Sequence, residues 1–221
     1  MSDLNEAEQW ERAKAIVGEL WIYIVGGVAL GGAGLWGWNW NRDRIEKHSI
    51  EASARYEETI DAFTRNDKTR GMQLVDELNR EYSSTPYAAL ATLIAARTQV
   101  DANELDKAAT GLKGVMDTAS DPEIRTIARL RLARVQSAQG KYDEALATLK
   151  VEEPGEFAPR IADTRGDVLL AKGDRAGALR EYLAARTGED KGQVDRDLLD
   201  LKIRDLGGTP PQTPEEKATE S

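Results

Sequence analysis

Leu20 to Asn41 (LWIYIVGGVALGGAGLWGWNWN) runs for twenty-two residues without a charge, between an acidic leader of nineteen residues and a highly charged remainder. As a helix rising about 1.5 Å per residue, such a run reaches about 33 Å, enough to cross a hydrocarbon core of about 30 Å. The pattern predicts one membrane-spanning helix over residues 20–41. Trp21 and Tyr23 mark one end and Trp36, Trp38 and Trp40 the other, where amphipathic rings settle at headgroup level. A cleavable signal peptide is the competing reading, but it calls for a basic start. This leader carries Asp3, Glu6, Glu8, Glu11 and Glu19 against Arg12 and Lys14. A soluble core helix is disfavoured by the six glycines at 26, 27, 31, 32, 34 and 37, which weaken helices in water yet are common in membrane spans. Gly27 and Gly31 form a GxxxG pair, and Ala29, Ala33 and Gly37 a second small-residue row, faces that allow another helix to approach closely.

After the span, Ala, Leu, Arg, Glu and Lys dominate and turn residues recur at regular intervals, so the region reads as helix throughout. Aligning the turns near Asp101, Gln139 and Lys172 brings Ala108, Ala145 and Ala178 into register, at spacings of 37 and 33. Twelve residues before each stands a small residue (Ala96, Ala133, Gly166), and four after each a large one (Leu112, Leu149, Tyr182). Small residues let paired antiparallel helices pack closely while large ones fill the gap to the next pair, which describes stacked helical hairpins. The spacing resembles the tetratricopeptide repeat, whose period is about 34 residues. Ile124–Lys150 and Pro159–Arg186 are the plainest copies. Tyr87–Met116 has Asn103 where the turn glycine belongs, and an earlier hairpin near Ser49–Ser83 has Gly71 where alanine is expected. The expected fold is therefore all-α, one transmembrane helix followed by a right-handed stack of helical hairpins. An ordinary bundle with an alanine-rich core is the alternative.

Composition narrows the chemistry. The chain has no cysteine and one histidine, His48, so thiol nucleophiles, disulfides and multi-histidine metal sites are excluded. No phosphate loop, paired-carboxylate signature or nucleophile elbow is present. The expectation is a non-enzyme with no catalytic residue, cofactor or metal. A net charge of −9 argues against a nucleic-acid partner.

The chain divides into a leader (1–19), the span (20–41), a repeat domain (42–206) and a tail (207–221). Val194–Leu206 supplies Leu198, Leu199, Leu201, Ile203 and Leu206 for a last helix that covers the array, and Gly207–Gly208 stops it. The Pro-, Thr- and Glu-rich residues from Thr209 to Ser221 have too little apolar surface to fold. In the leader, Asn5 with Glu8 resembles a capping box, and Leu4, Ala7, Trp10, Ala13 and Val17 approximate a helical stripe.

Several segments together carry a wider likeness: Glu8-Gln-Trp10, the Gly-Trp-x-Trp end of the span, Tyr87-Ala-Ala-Leu-Ala, Asn103-Glu-Leu-Asp-Lys-Ala-Ala and Leu130-Arg-Leu-Ala-Arg-Val-Gln136. From about Glu8 to Leu206 the chain resembles the YfgM family, the ancillary subunit of the Sec translocon. The resemblance implies a bacterial inner-membrane protein, leader in the cytoplasm and repeat domain in the periplasm. It also implies association with the SecYEG translocon and the periplasmic chaperone PpiD, with translocating proteins as clients and the lipid bilayer as support. One signal runs the other way. Two positive residues lie before the span (Arg12, Lys14) and four after it (Arg42, Arg44, Lys47, Arg55), and the positive-inside rule would keep the large domain in the cytoplasm. A cytoplasm-facing scaffold or regulator of a signalling or envelope-assembly protein is the alternative function.

Resemblance to tetratricopeptide hairpins also implies a concave groove lined by the first helix of each repeat. Its ninth positions here are Arg97, Arg134 and Asp167, with Leu93 and Leu130 at the neighbouring fifth positions. Two arginines over an aliphatic floor suit a peptide whose carboxylate meets the guanidinium forks. Pairing of those arginines with nearby acids is the other reading. Arg97, Arg134, Leu93 and Leu130 in the domain, and Gly27 and Gly31 in the span, are thus the candidate partner-binding residues.

Overall fold

The computed structural model describes residues 46–188 and 194–211, together with the isolated positions Trp10, Trp21, Val25, Gly31, Gly32, Trp38, Trp40 and Arg42. Apart from those positions, the expected leader and membrane helix, Gly27 among them, lie outside the described residues, as does the tail beyond residue 211. Among the described residues no helix is long and apolar enough to cross a membrane, and no residue is in a strand. The chain divides into a first unit, Met1–Glu51, and a second, Ala52–Ser221.

In the second unit helix α1 covers residues 52–64. It is followed by α2 (Lys68–Glu81), α3 (Pro86–Asp101), α4 (Leu105–Thr118), α5 (Pro122–Ala138), α6 (Tyr142–Thr148), α7 (Ala158–Lys172), α8 (Arg175–Thr187) and α9 (Arg196–Asp205). Local chemistry sets many of these boundaries. Asp67, Asp121, Asp174 and Asp195 cap α2, α5, α8 and α9, each carboxylate accepting from a backbone N–H of the first turn. Pro86 and Pro122 open α3 and α5 at the position where a missing N–H costs no helical hydrogen bond.

Four turns share one device. Asn66, Asn103, Gly140 and Gly173 hold positive φ values of 60°, 59°, 76° and 93°, and each ends the first helix of a hairpin. Asparagine is the side chain that tolerates this left-handed region with least penalty, which is why Asn103 replaces the expected turn glycine without disturbing the hairpin. Counting five residues on from each turn reaches Gly71, Ala108, Ala145 and Ala178, all buried. Seven residues before lie Thr59, Ala96, Ala133 and Gly166, and nine after lie Val75, Leu112, Leu149 and Tyr182, again all buried. The earliest hairpin is thus a full member of the series, with threonine, glycine and valine in the three positions. At Gly71 the smaller residue has a cause: a Cβ there would sit 2.7 Å from the Phe63 ring. Ala145, by contrast, is alanine with no exposed surface. Ala145→Leu is expected to cost about 1–3 kcal/mol through overpacking, measured by chemical denaturation.

The core is a chain of clusters, each joining elements of successive hairpins. Val75 and Leu78 of α2 pack with Ala88, Ala91 and Ala95 of α3. Leu93 and Ala96 meet Leu112, Val115, Ala128 and Leu132 across α3, α4 and α5. Leu130 and Ala133 continue to Leu149, Ile161 and Val168, and Tyr182 and Ala185 of α8 close against Leu199 and Ile203 of α9. Each hairpin buries its apolar surface against its neighbours, the energetics of a repeat array.

Two elements depart from regularity. Helix α6 has only seven residues, and its exposed end is satisfied by arginines instead of another turn: Arg165 donates to the Leu149 carbonyl and Arg129 to that of Lys150, both at 3.2 Å. Helix α9 is the first half of a fifth repeat. It ends on Gly207 at φ 81°, 34 residues after Gly173, and Pro210 and Pro211 stand where its second helix would begin. The five apolar residues expected to face the array divide: Leu199 and Ile203 are buried and Leu206 half-buried, whereas Leu198 and Leu201 point outward. A helix needs only one stripe against its neighbour, and residues 198 and 201 lie off that stripe.

Candidate functional site

Neighbouring odd-numbered helices touch each other, α3 with α5 and α5 with α7, whereas no even-numbered pair makes comparable contact. The odd helices therefore line the inner side of the array. Six residues before each left-handed turn, this side presents Ile60, Arg97, Arg134, Asp167 and Leu201 in one row. Among the described residues of the second unit, the exposed large apolar ones are Ile60, Val100, Leu170, Leu198 and Leu201, between 38% and 53% exposed. All five stand on odd helices.

Between α3 and α5 lies a cleft of about 330 Å³, lined by Arg97, Arg131 and Arg134 over Val100, Val135 and Ala138. Arg134 donates to Thr164 Oγ1 on α7 at 3.0 Å, and Arg131 to the Leu93 carbonyl on α3 at 2.9 Å. These bonds leave guanidinium edges toward the cleft while lacing successive first helices together. Burial pushes the Arg131 guanidinium below its ordinary pKa, and the charges of Arg160, Arg134 and Arg97 push it the same way. Among the described residues none of these four arginines forms an ion pair with a carboxylate, although other arginines of the chain do. In a chain of net charge −9, the cleft is a local excess of positive charge.

Arg97 and Arg134 are thus brought together on an exposed face. Leu93 and Leu130 are not: at 4% and 2% exposure both lie in the core between hairpins, and Val100, Val135 and Ala138 supply the apolar part of the cleft instead. Arg131, absent from the sequence-based candidates, stands one turn before Arg134, a spacing that places both on one face. Gly31, in the first unit, has nothing within 4 Å of where a Cβ would sit.

Asp167, the third expected groove position, is engaged from within. Tyr182 donates to it at 2.8 Å, and Lys202 of α9 contacts Asp167 at 2.6 Å and Asp163 at 2.8 Å. The Lys202 ammonium also lies 5.0 Å from the centre of the Tyr182 ring. Burial alone would lower Lys202, but its hydrogen bonds to the two carboxylates and their charges outweigh this and raise it. Burial first, then the bond to Asp167, raises the Tyr182 phenol as well. Both shifts favour the protonated form in the fold, so their contribution is complete below the unfolded pKa values of about 10 and is lost as pH rises through the folded ones. Thermal stability should hold between about pH 7 and 9 and fall above about pH 10, less steeply in Tyr182→Phe.

A second cleft of about 290 Å³ is bordered by Ser83, Thr85, Thr92, Gly111, Gly114 and Thr118. Its lining holds no arginine or lysine, and its one carboxylate, Asp121, already caps α5.

Hairpins in this register define a tetratricopeptide-like repeat protein. A family model described as "Tetratricopeptide repeat-like domain" matches residues 14–208. The chain is 34% identical over 203 residues to the ancillary SecYEG translocon subunit of Escherichia coli (strain K12), covering 91% of this chain and 97% of that protein. It is 32% identical to the subunit of the same name from Neisseria gonorrhoeae, covering 84% and 88%, and 28% identical to that of Aggregatibacter actinomycetemcomitans, covering 92% and 98%. The chain belongs to this family, the YfgM family of ancillary SecYEG translocon subunits. No solved structure matches it.

Proposed function

We propose that this protein is a non-enzymatic inner-membrane adaptor. Residues 20–41 anchor it with the leader in the cytoplasm and the repeat domain in the periplasm. There it associates with the SecYEG translocon and passes emerging proteins to periplasmic chaperones, PpiD among them, through the odd-helix face. Full-length similarity to proteins named ancillary SecYEG translocon subunit supports the translocon association. The observation that carries the binding face is the confinement of exposed large apolar residues to the odd helices, beside the arginine cleft. In the span, Gly27 and Gly31 offer a second contact through close helix approach.

Orientation tests the reading at its base. A reporter active only in the periplasm, fused after Leu206, is expected to be active. A silent fusion with an active cytoplasmic counterpart would overturn the periplasmic adaptor and favour the cytoplasm-facing scaffold, which the excess of positive residues after the span would then explain.

A further inference from the structure

The cleft arginines and the exposed leucines of α9 occupy one face, and the ground between them is prepared electrostatically. Asp163 and Asp167 on α7 would otherwise repel an acidic ligand passing from α5 to α9. Lys202 bridges the two, at 2.8 and 2.6 Å, and offsets half of that negative charge. On the far side, Leu198 and Leu201 offer apolar surface that the array itself does not cover.

We propose that the odd-helix face recognises an extended, bipartite polypeptide segment. Its carboxylates engage Arg97, Arg131 and Arg134, and its aliphatic side chains rest on Leu198 and Leu201. This specificity rests on the binding face assigned above and deepens it. Charge complementarity selects the acidic end: three clustered guanidinium groups without carboxylate partners gain most from a ligand that brings them. Spacing follows from geometry. Packed helices lie about 8–10 Å apart; α7 packs on α5, and Lys202 reaches from α9 to Asp167 of α7, so α5 and α9 are separated by about 20 Å. An extended chain advances about 3.3 Å per residue, which puts the aliphatic pair about five or six residues from the acids.

Four fluorescein-labelled peptides in a Gly-Ser background test this by anisotropy against the full-length chain in nanodiscs. The first carries Asp-Glu followed six residues on by Leu-Leu. The second replaces the acids by Asn-Gln, the third replaces the leucines by serines, and the fourth places acids and leucines side by side. The first is expected to bind at least tenfold more tightly than each of the others. Arg97→Gln with Arg134→Gln should abolish the acid-over-amide preference while keeping the leucine preference, and Leu198→Ser with Leu201→Ser should do the reverse. All four positions are exposed, so helicity should be unchanged, and should a variant unfold, the four peptides on the parent chain still decide. Failure of the first peptide to bind, or indifference to acid, leucine or spacing, overturns the proposal. If the same substitutions abolish co-isolation with the translocon while the peptides are bound indifferently, the adaptor reading stands and the bipartite specificity falls.

Discussion

Asp200→Ala should destabilise the repeat domain by about 3–5 kcal/mol, the largest effect expected of any single substitution here. Arg186 on α8 is almost fully buried, and Asp200 on α9 holds it with two hydrogen bonds, from Nε at 2.7 Å and Nη2 at 3.4 Å. Removing the carboxylate strands a guanidinium that water cannot reach, and its desolvation is no longer offset. Asp200 stands seven residues before Gly207, the position that holds threonine, alanine or glycine in the four complete hairpins. In the half-repeat the small residue has been replaced by a charge that bolts the terminal helix to the array. Arg186→Met with Asp200→Leu should recover most of the loss, because well-packed apolar residues often match a buried ion pair. Equilibrium denaturation of the two variants separates this from an exposed pair, for which the loss would be below about 1 kcal/mol.

Gly166→Ala should cost about 1–3 kcal/mol, although glycine to alanine inside a helix is ordinarily stabilising. A Cβ at 166 would lie 2.6 Å from Cδ1 of the Tyr182 ring. The corresponding pairs in the two preceding hairpins are Ala96 with Leu112 and Ala133 with Leu149. An aromatic ring on the second helix therefore requires one carbon fewer on the first. Combining Gly166→Ala with Tyr182→Leu recreates the alanine–leucine pairing, and its cost should fall below the sum of the two single costs by about 1 kcal/mol or more, a coupling expected of residues in contact. Strict additivity would mean the ring moves aside without strain.

The repeat register was legible in the sequence because it rests on side-chain volume, which the spacing of small residues displays directly: Ala108, Ala145 and Ala178 are all fully buried. The first hairpin was harder to read, since Asn66 departs from the glycine of the two plainest copies and Gly71 from the alanine of all three later ones. Its signal was present in the asparagine, the other residue suited to a left-handed turn. Within the site, Arg97 and Arg134 followed from repeat position alone. Leu93 and Leu130 did not, because a step of four residues rotates a side chain by about 40° around the helix, enough here to turn it from the groove edge into the core between hairpins, and hydrophobicity suits both. The engagement of Asp167 by Lys202 joins residues 35 apart in sequence, and depends on where α9 docks, which no local pattern reveals. Leu198 and Leu201 are the converse case: their apolar character marked them as core, whereas the array needed only Leu199 and Ile203.

Photo-cross-linking in intact cells tests the binding face most directly. A photoreactive amino acid placed at Arg97, Arg134 or Leu201 should join the protein to a translocon subunit or a periplasmic chaperone, whereas the same group at the exposed positions Lys113 of α4 and Arg180 of α8 should not. Equal adducts from both faces, or adducts from the even helices alone, would contradict the assignment of partner binding to the odd-helix face.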